Sequence, residues 1–314
     1  MPETIKTERD KRTLTVRIDN PPHNFMNRHM VAELDKLTRS LEDDRTVGAV
    51  VITGGIEGMF ITHYDVEEIL IGSEGVGKQV SSAVAGASLQ AVGGASRLPA
   101  ARRALNRTQA AGMVELHAIH DLFLRIGRLD KVFIAAINGP ALGGGCELAL
   151  ACDLRYISDR GGPIGLPEMT LGFNPGAGGT QRLAHLLGPG RALEMILEAE
   201  ALNPKQALEA GLVHRVVRHK DLTSEAAATA ERLARRAPLS VAGAKRTVRE
   251  GSRRALPDGL AMERKWFLAG ASTPASRRAM RAYAEAVEED GAPWQSEDAR
   301  QPWREGTVVD LTAD

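Results

Sequence analysis

The stretch VFIAAINGPALGGGCELALACD, residues 132 to 153, organises the reading of this chain. Its apolar run from Val132 to Ile137 stops at Asn138-Gly139-Pro140, a turn signal. Gly143, Gly144 and Gly145 follow, then Cys146, Glu147 and an apolar run with no breaker. The pattern predicts a buried strand, a tight loop and the N-terminus of a buried helix. Glycines at such a place let backbone approach a ligand closely, because no Cβ intervenes. The unbonded N–H groups of the first helical turn then face that ligand, assisted by the helix dipole. Glu147 places a carboxylate just inside the helix. Backbone donors beside an acid–base residue are what chemistry at a carbonyl requires. Read alone, the glycine triplet is equally a close-packed turn with Glu147 solvated, so the rest of the chain must choose.

The 314 residues balance 40 Lys+Arg against 40 Asp+Glu. Zero formal net charge without a long basic block points away from nucleic acid and from anionic membranes. The polar opening MPETIKTERDKRT lacks the apolar core of a signal peptide. No stretch reaches membrane-spanning length without a charge or a glycine run. Cys146 and Cys152 lie six apart, neither a disulfide framework nor a zinc spacing, so no metal site is expected. They read as small buried residues in a reducing compartment. The expectation is a soluble, cytoplasmic α/β protein.

Outward from the central stretch, TLTVRI (13–18) and VGAVVIT (47–53) read as strands around an amphipathic helix from Asn27 to about Glu42. Residues 58 to 70, GMFITHYDVEEIL, give a short apolar run to Thr62, then Asp65 and two glutamates suited to opening a helix. Residues 72 to 97, rich in Gly, Ala, Ser and Val, read as helix or loop. A single long helix is expected from Ala100 to Ile126, with Arg102, Arg103 and Arg107 at its start, where a solvated basic face is favoured over a phosphate contact. DLRYI (153–157) reads as a strand, and IGLPEMTLGFNPGAGGTQRLAHLLG (164–188) carries Glu168 ahead of a second glycine-rich turn. Helices follow at 190–200 and 204–210, a strand at 212–217, and three helical segments from 222 to about 287, broken near Pro238 and at 271–274. The tail from Gly291 is polar and reads as a flexible end, the alternative being docking on a neighbouring subunit through its tryptophans.

These residues carry a family resemblance. IAAINGPALGGGCELALACDL followed by LPEMTLGFNPGAGGTQRL resembles the enoyl-CoA hydratase/isomerase family, the crotonases, over about residues 14 to 284. The resemblance implies an α/β fold, a crotonase-like spiral of ββα units with a C-terminal helical trimerisation region. The spiral core would span 1–218 with an insertion near 72–112, the helical region 219–290 and the polar tail 291–314. It implies an acyl-CoA thioester as substrate, self-association as a trimer or dimer of trimers, and no cofactor beyond the substrate's own coenzyme A. It further implies an oxyanion hole made by the N–H groups of Tyr64 and Gly144, with Thr62, His63, Asp65, Gly143, Pro167 and Gly172 lining the substrate site. Glu147 and Glu168 fill the two positions of the catalytic glutamates, Glu147 to activate water and Glu168 to protonate Cα, with the reverse assignment left open.

The chemistry follows independently of the name. Water adding across a double bond conjugated to a thioester drives negative charge onto the thioester oxygen. Each backbone donor aimed there stabilises the transition state by about 3 kcal/mol. One carboxylate must take a proton from water and one carboxylic acid must deliver a proton to Cα. Two neighbouring glutamates repel, which raises one of them so that it keeps a proton.

The sequence departs from the family's FxAGADL pattern at Phe60-Ile61-Thr62-His63-Tyr64-Asp65-Val66, where His63 replaces a glycine and Tyr64 a small residue. Both are read as shaping the pocket. The chain is also longer than the family pattern between Asp65 and Val132, and residues 72 to 112 are read as either a substrate-facing cover or a surface excursion. The leading expectation is a hydro-lyase acting on 2-enoyl-CoA. Its alternatives are an isomerase of the same family, which needs one base and no water, and a silent acyl-CoA-binding protein.

Overall fold

The structure, a computed structural model, describes residues 3–76, 79–290 and 294–313. Residues 77–78 of the expected insertion, and 291–293 and 314 of the expected tail, lie outside the described residues. The main sheet contains β1 (Ile5–Asp10), β2 (Thr13–Ile18), β3 (Ala49–Gly54), β4 (Val132–Ile137), β6 (Leu154–Ser158) and β9 (Arg215–Val217), in the order β1-β2-β3-β4-β6-β9. Only the β1–β2 hairpin is antiparallel; the remaining neighbours run parallel. A second sheet joins the two-residue strands β5 (Ala141–Leu142), β7 (Ile164–Gly165) and β8 (Ala201–Leu202).

The chain repeats one unit: a long strand in the main sheet, a short strand in the second sheet, then a helix. β4, β5 and α6 (Gly144–Ala151) make one turn of this spiral; β6, β7 and α7 (Gly179–Leu187) make the next. β3 and β4 are buried at every position, as parallel strands covered on both faces must be. Val50, Ile52, Phe133 and Ala135 face a large core closed by α1 (Arg28–Asp43), α5 (Ala111–Arg128) and α6. Ala49, Val51, Ile134 and Ala136 face α10 (Leu222–Leu233) through Leu222, Ala226 and Ala230. Small residues on that side let the helix lie close: a Cβ at Gly48 would stand 2.6 Å from the carbonyl oxygen of Ala234.

Between Asp65 and β4 lie α2 (Val66–Val76), α3 (Ser82–Ala95) and α4 (Pro99–Leu105), followed by α5. The single helix expected over 100–126 is two helices, because 106–110 closes into three-residue turns, with Thr108 Oγ1 accepting the Ala110 N–H at 3.1 Å. Arg102 and Arg103 therefore sit in the last turn of α4, where the dipole favours cations, rather than at a helix start.

After α8 (Pro189–Leu197), α9 (Pro204–Glu209) and α10, the C-terminal part holds α11 (Pro238–Arg246), a π-turn at Thr247–Gly251, α12 (Leu256–Ala271) and α13 (Pro274–Asp290). The expectation of three segments missed the break at 252–255 ahead of α12, in whose first turn Pro257 sits. Lys245 anchors this region: its buried ammonium donates to the carbonyls of Ile126 and Lys131 and pairs with Asp153 at 2.8 Å. The tail forms α14 (Glu297–Glu305) and docks on its own chain. Trp303 meets Tyr283 edge-on at 5.4 Å, and Arg235 and Arg236 donate to the carbonyls of residues 303 to 305. This corrects the expected free end; cations that satisfy the last carbonyls of α14 hold it.

Candidate active site

The three glycines after β5 stand in different surroundings. Gly143 caps α6 at φ +50°, and a Cβ there would press on Glu168 Oε1 at 3.2 Å. A Cβ at Gly145 would stand 2.0 Å from the carbonyl oxygen of Ile61, so only glycine lets α6 begin against the 60–64 segment. A Cβ at Gly144 would lie 3.6 Å from the backbone nitrogen of Tyr64.

The 62–65 segment is an extended strip between two neighbours. On one side Met26 donates to the His63 carbonyl at 2.8 Å and accepts the Asp65 N–H at 2.7 Å. On the other, Leu142 donates to the Thr62 carbonyl at 2.9 Å. Pairing with Met26 through residues 63 and 65 turns the Tyr64 N–H to the opposite side, where Gly144 lies. Among the described residues neither the Tyr64 nor the Gly144 N–H has an acceptor. Two unsatisfied donors side by side at a helix start are suited to receiving a negatively charged oxygen.

Glu147 is 3% exposed, and its Oε1 accepts the N–H groups of Ala177 (2.7 Å) and Gly179 (2.8 Å) from the glycine-rich turn ahead of α7. Burial pushes its carboxyl above the usual range, while those two donors oppose the rise. Glu168 begins a 3₁₀ turn (Glu168–Leu171), and its Oε2 is shielded without a hydrogen-bond partner. Burial, with Glu147's charge adding to it, pushes Glu168 up to about 7. Two carboxyl groups thus share one site in different surroundings: one is held by donors, the other is able to keep a proton near neutrality.

The remaining expected residues have local roles. Thr62 Oγ1 donates to the His23 carbonyl, and Asp65 accepts the Glu67 N–H at the start of α2. The His63 ring stacks on Phe25 at 4.1 Å, and Pro167 and Gly172 cap the two ends of the 3₁₀ turn. Arg102, Arg103 and Arg107 belong to α4 and the turn after it, where Arg103 and Arg107 are exposed, as the favoured reading of a solvated basic face expects. Among the described residues no group of three His, Cys, Asp or Glu side chains is placed to hold a metal, and no helix is long and apolar enough to cross a membrane.

Sequence reasoning missed the partners of the Tyr64 side chain. Its phenol contacts Glu115 of α5 and, at 3.0 Å, Glu68 of α2, with Arg28 Nε 3.2 Å from Glu68. Arg28 Nε also lies 3.8 Å from Glu115, so the guanidinium offsets the charge of both carboxylates, while burial raises Glu115 above its ordinary value. Glu115 on a helix stripe reads as a solvated residue, and only the fold brings it to Tyr64.

A sequence profile of the Enoyl-CoA hydratase/isomerase family matches residues 8–91 and 102–296. The chain is 31% identical to the short-chain-enoyl-CoA hydratase of Clostridium acetobutylicum over 279 residues, 88% of this chain and 93% of that one. It is 46% identical to the 2,3-dehydroadipyl-CoA hydratase of Escherichia coli over 153 residues, 48% of this chain and 59% of that one. The fold superimposes on the enoyl-CoA hydratase of Bacillus anthracis with a TM-score of 0.72 at 27% identity, covering 90% of this chain and 96% of the other. It also superimposes on DspI of Pseudomonas aeruginosa with a TM-score of 0.73 at 28% identity, covering 94% and 97%. Profile, relatives and spiral fold agree: the chain belongs to the enoyl-CoA hydratase/isomerase family, the crotonases.

Proposed function

We propose that this protein is a hydro-lyase that adds water across the double bond of a 2-enoyl-CoA thioester, and catalyses the reverse dehydration. The thioester oxygen accepts the N–H groups of Tyr64 and Gly144. Glu147 takes a proton from water as its oxygen bonds to Cβ, and Glu168 delivers a proton to Cα. The observation that carries this reading is the division between the carboxyls: Glu147 is oriented by two backbone donors, whereas Glu168 Oε2 has no partner among the described residues and burial pushes the group up to about 7. Double-bond isomerisation needs one such group, so the paired arrangement favours hydration. As drawn, the reaction uses no group beyond the substrate's coenzyme A.

The reading extends to the rest of the molecule. α2 and α3 cover the acyl end of the site: Glu68 ties α2 to Tyr64, and the His117 ring ties α5 to the Leu89 carbonyl of α3 at 2.8 Å. Self-association as a trimer or dimer of trimers, in the cytoplasm, would cover the apolar residues left exposed on the C-terminal helices, Phe267 and Leu268 among them.

The test is loss of the ultraviolet absorbance of the conjugated thioester across 2-enoyl-CoAs of different length and branching. Wild type should hydrate at least one of them, and Glu147→Gln and Glu168→Gln should each lose about 10²–10⁴ in kcat. Binding without turnover in wild type would instead support the silent-binder alternative.

A further inference from the structure

The turn that orients Glu147 is itself held from α5. His120 Nε2 lies 2.6 Å from the carbonyl oxygen of Gly176. A carbonyl only accepts, so Nε2 carries a hydrogen in this contact. The Gly176 carbonyl and the Ala177 N–H belong to one peptide group, and that N–H donates to Glu147 Oε1 at 2.7 Å. Imidazole, peptide and carboxylate therefore form one continuous chain of donors and acceptors. Donation to an amide oxygen shifts electron density from nitrogen to oxygen and makes the same amide a stronger N–H donor. His120 is on the exposed side of α5, so the chain connects an accessible imidazole with a buried carboxylate.

We propose that His120 is a positioning residue that orients Glu147 and strengthens its hydrogen bond through the Gly176–Ala177 peptide. The inference rests on the reading of Glu147 as the group that activates water. The charged groups facing Glu147 are Glu168 from the 3₁₀ turn, Arg182 from α7 and His120 from α5. Arg182 Nη1 donates at 3.0 Å to the Ala177 carbonyl, which belongs to the next peptide. It fixes the turn from the other side without polarising the Ala177 N–H. Beside His120 on its own helix stands Asp121. Gly179, Ala177 and Arg182 also favour the ionised Glu147 against the burial that opposes ionisation; what His120 adds is donation to the Gly176 carbonyl, which aims and strengthens the Ala177 N–H.

The experiment compares His120→Leu and His120→Gln with wild type in the hydration of but-2-enoyl-CoA as a function of pH. The leucine variant loses about tenfold in kcat at neutral pH, with KM little changed, and the acid limb of its profile moves up by about one pH unit. The glutamine variant keeps a neutral N–H donor and retains most of the activity. Superimposed profiles for wild type and His120→Leu, or glutamine as impaired as leucine, overturn the proposal. A second arm needs neither activity nor a variant: in protein labelled with [¹⁵N]alanine, the Ala177 amide resonance should follow the His120 ring as pH is varied. An amide that ignores the ring overturns the coupling even if a variant fails to fold. Full activity of Glu147→Gln would instead refute the assignment of the base, and it would leave the amide result standing.

Discussion

Replacing Glu168 with glutamine should abolish activity and stabilise the protein in alkaline solution. A carboxyl held above its ordinary value stabilises the fold while it is protonated. That contribution is complete below the unfolded value near 4.5 and is lost as pH rises through about 7. The full shift is equivalent to about 3 kcal/mol. Glu168 is partly open to solvent, which reduces the cost of burying its charge to about 1–2 kcal/mol. Glutamine has the same shape and never ionises, so it escapes that cost above neutrality and gains nothing below pH 5. For a chain of this size the difference is about 2–4 °C in Tm. Calorimetry at pH 5 and pH 8.5 measures it, and the hydration assay follows activity on the same samples. Glu168→Gln should melt higher than wild type only at pH 8.5, with kcat reduced by about 10²–10⁴. Wild-type kcat should decline above about pH 7 as Glu168 loses the proton it delivers. An equal Tm difference at both pH values would refute the buried-acid argument, and retained activity would refute the proton-delivery role.

Adjacent glycines should fail differently. Gly144→Ala places a methyl 3.3 Å from the Tyr64 Cβ and beside the two free N–H groups, so it should fold after a small local shift and lose about tenfold or more in kcat. Gly145→Ala drives its methyl into the Ile61 carbonyl and should cost about 3 kcal/mol or more of stability, read by urea unfolding. Tyr64→Phe leaves Glu68 and Glu115 without their shared hydroxyl and should destabilise by about 1–3 kcal/mol, which denaturant titration tests. Trp303→Ala removes the edge contact with Tyr283 and should make α14 the first site of limited proteolysis, while catalysis stays unchanged.

Much of the site was legible because its signals are local. The strand–loop–glycine–helix order of residues 132 to 153 follows from apolar runs and breakers, and the structure keeps it as β4, β5 and α6. Gly144 and Glu147 stand out in the sequence pattern itself, Tyr64 and the paired role of Glu168 come from the resemblance, and the fold brings all four around the start of α6. The errors also have local causes. IKTERD, the segment of β1, is exposed along nearly its whole length and carries no alternating pattern that would mark a strand. No Pro or Gly marks the break at 106–110 in the helix expected over 100–126; side-chain and backbone bonds make it. The tail reads as free because the partners of α14, Tyr283, Arg235 and Arg236, stand elsewhere in the sequence.

What the sequence by itself determined was the class of chemistry. Residue types and their order within one helical turn decide where free N–H groups and a carboxylate can occur. Only the tertiary structure decided how those groups behave. The phenol shared between Glu68 and Glu115 and the chain from His120 through a peptide to Glu147 join residues from separate elements, and packing shields Glu168 Oε2 from any partner among the described residues. A side chain's protonation and aim depend on burial and on partners within a few ångströms, and packing alone sets those distances.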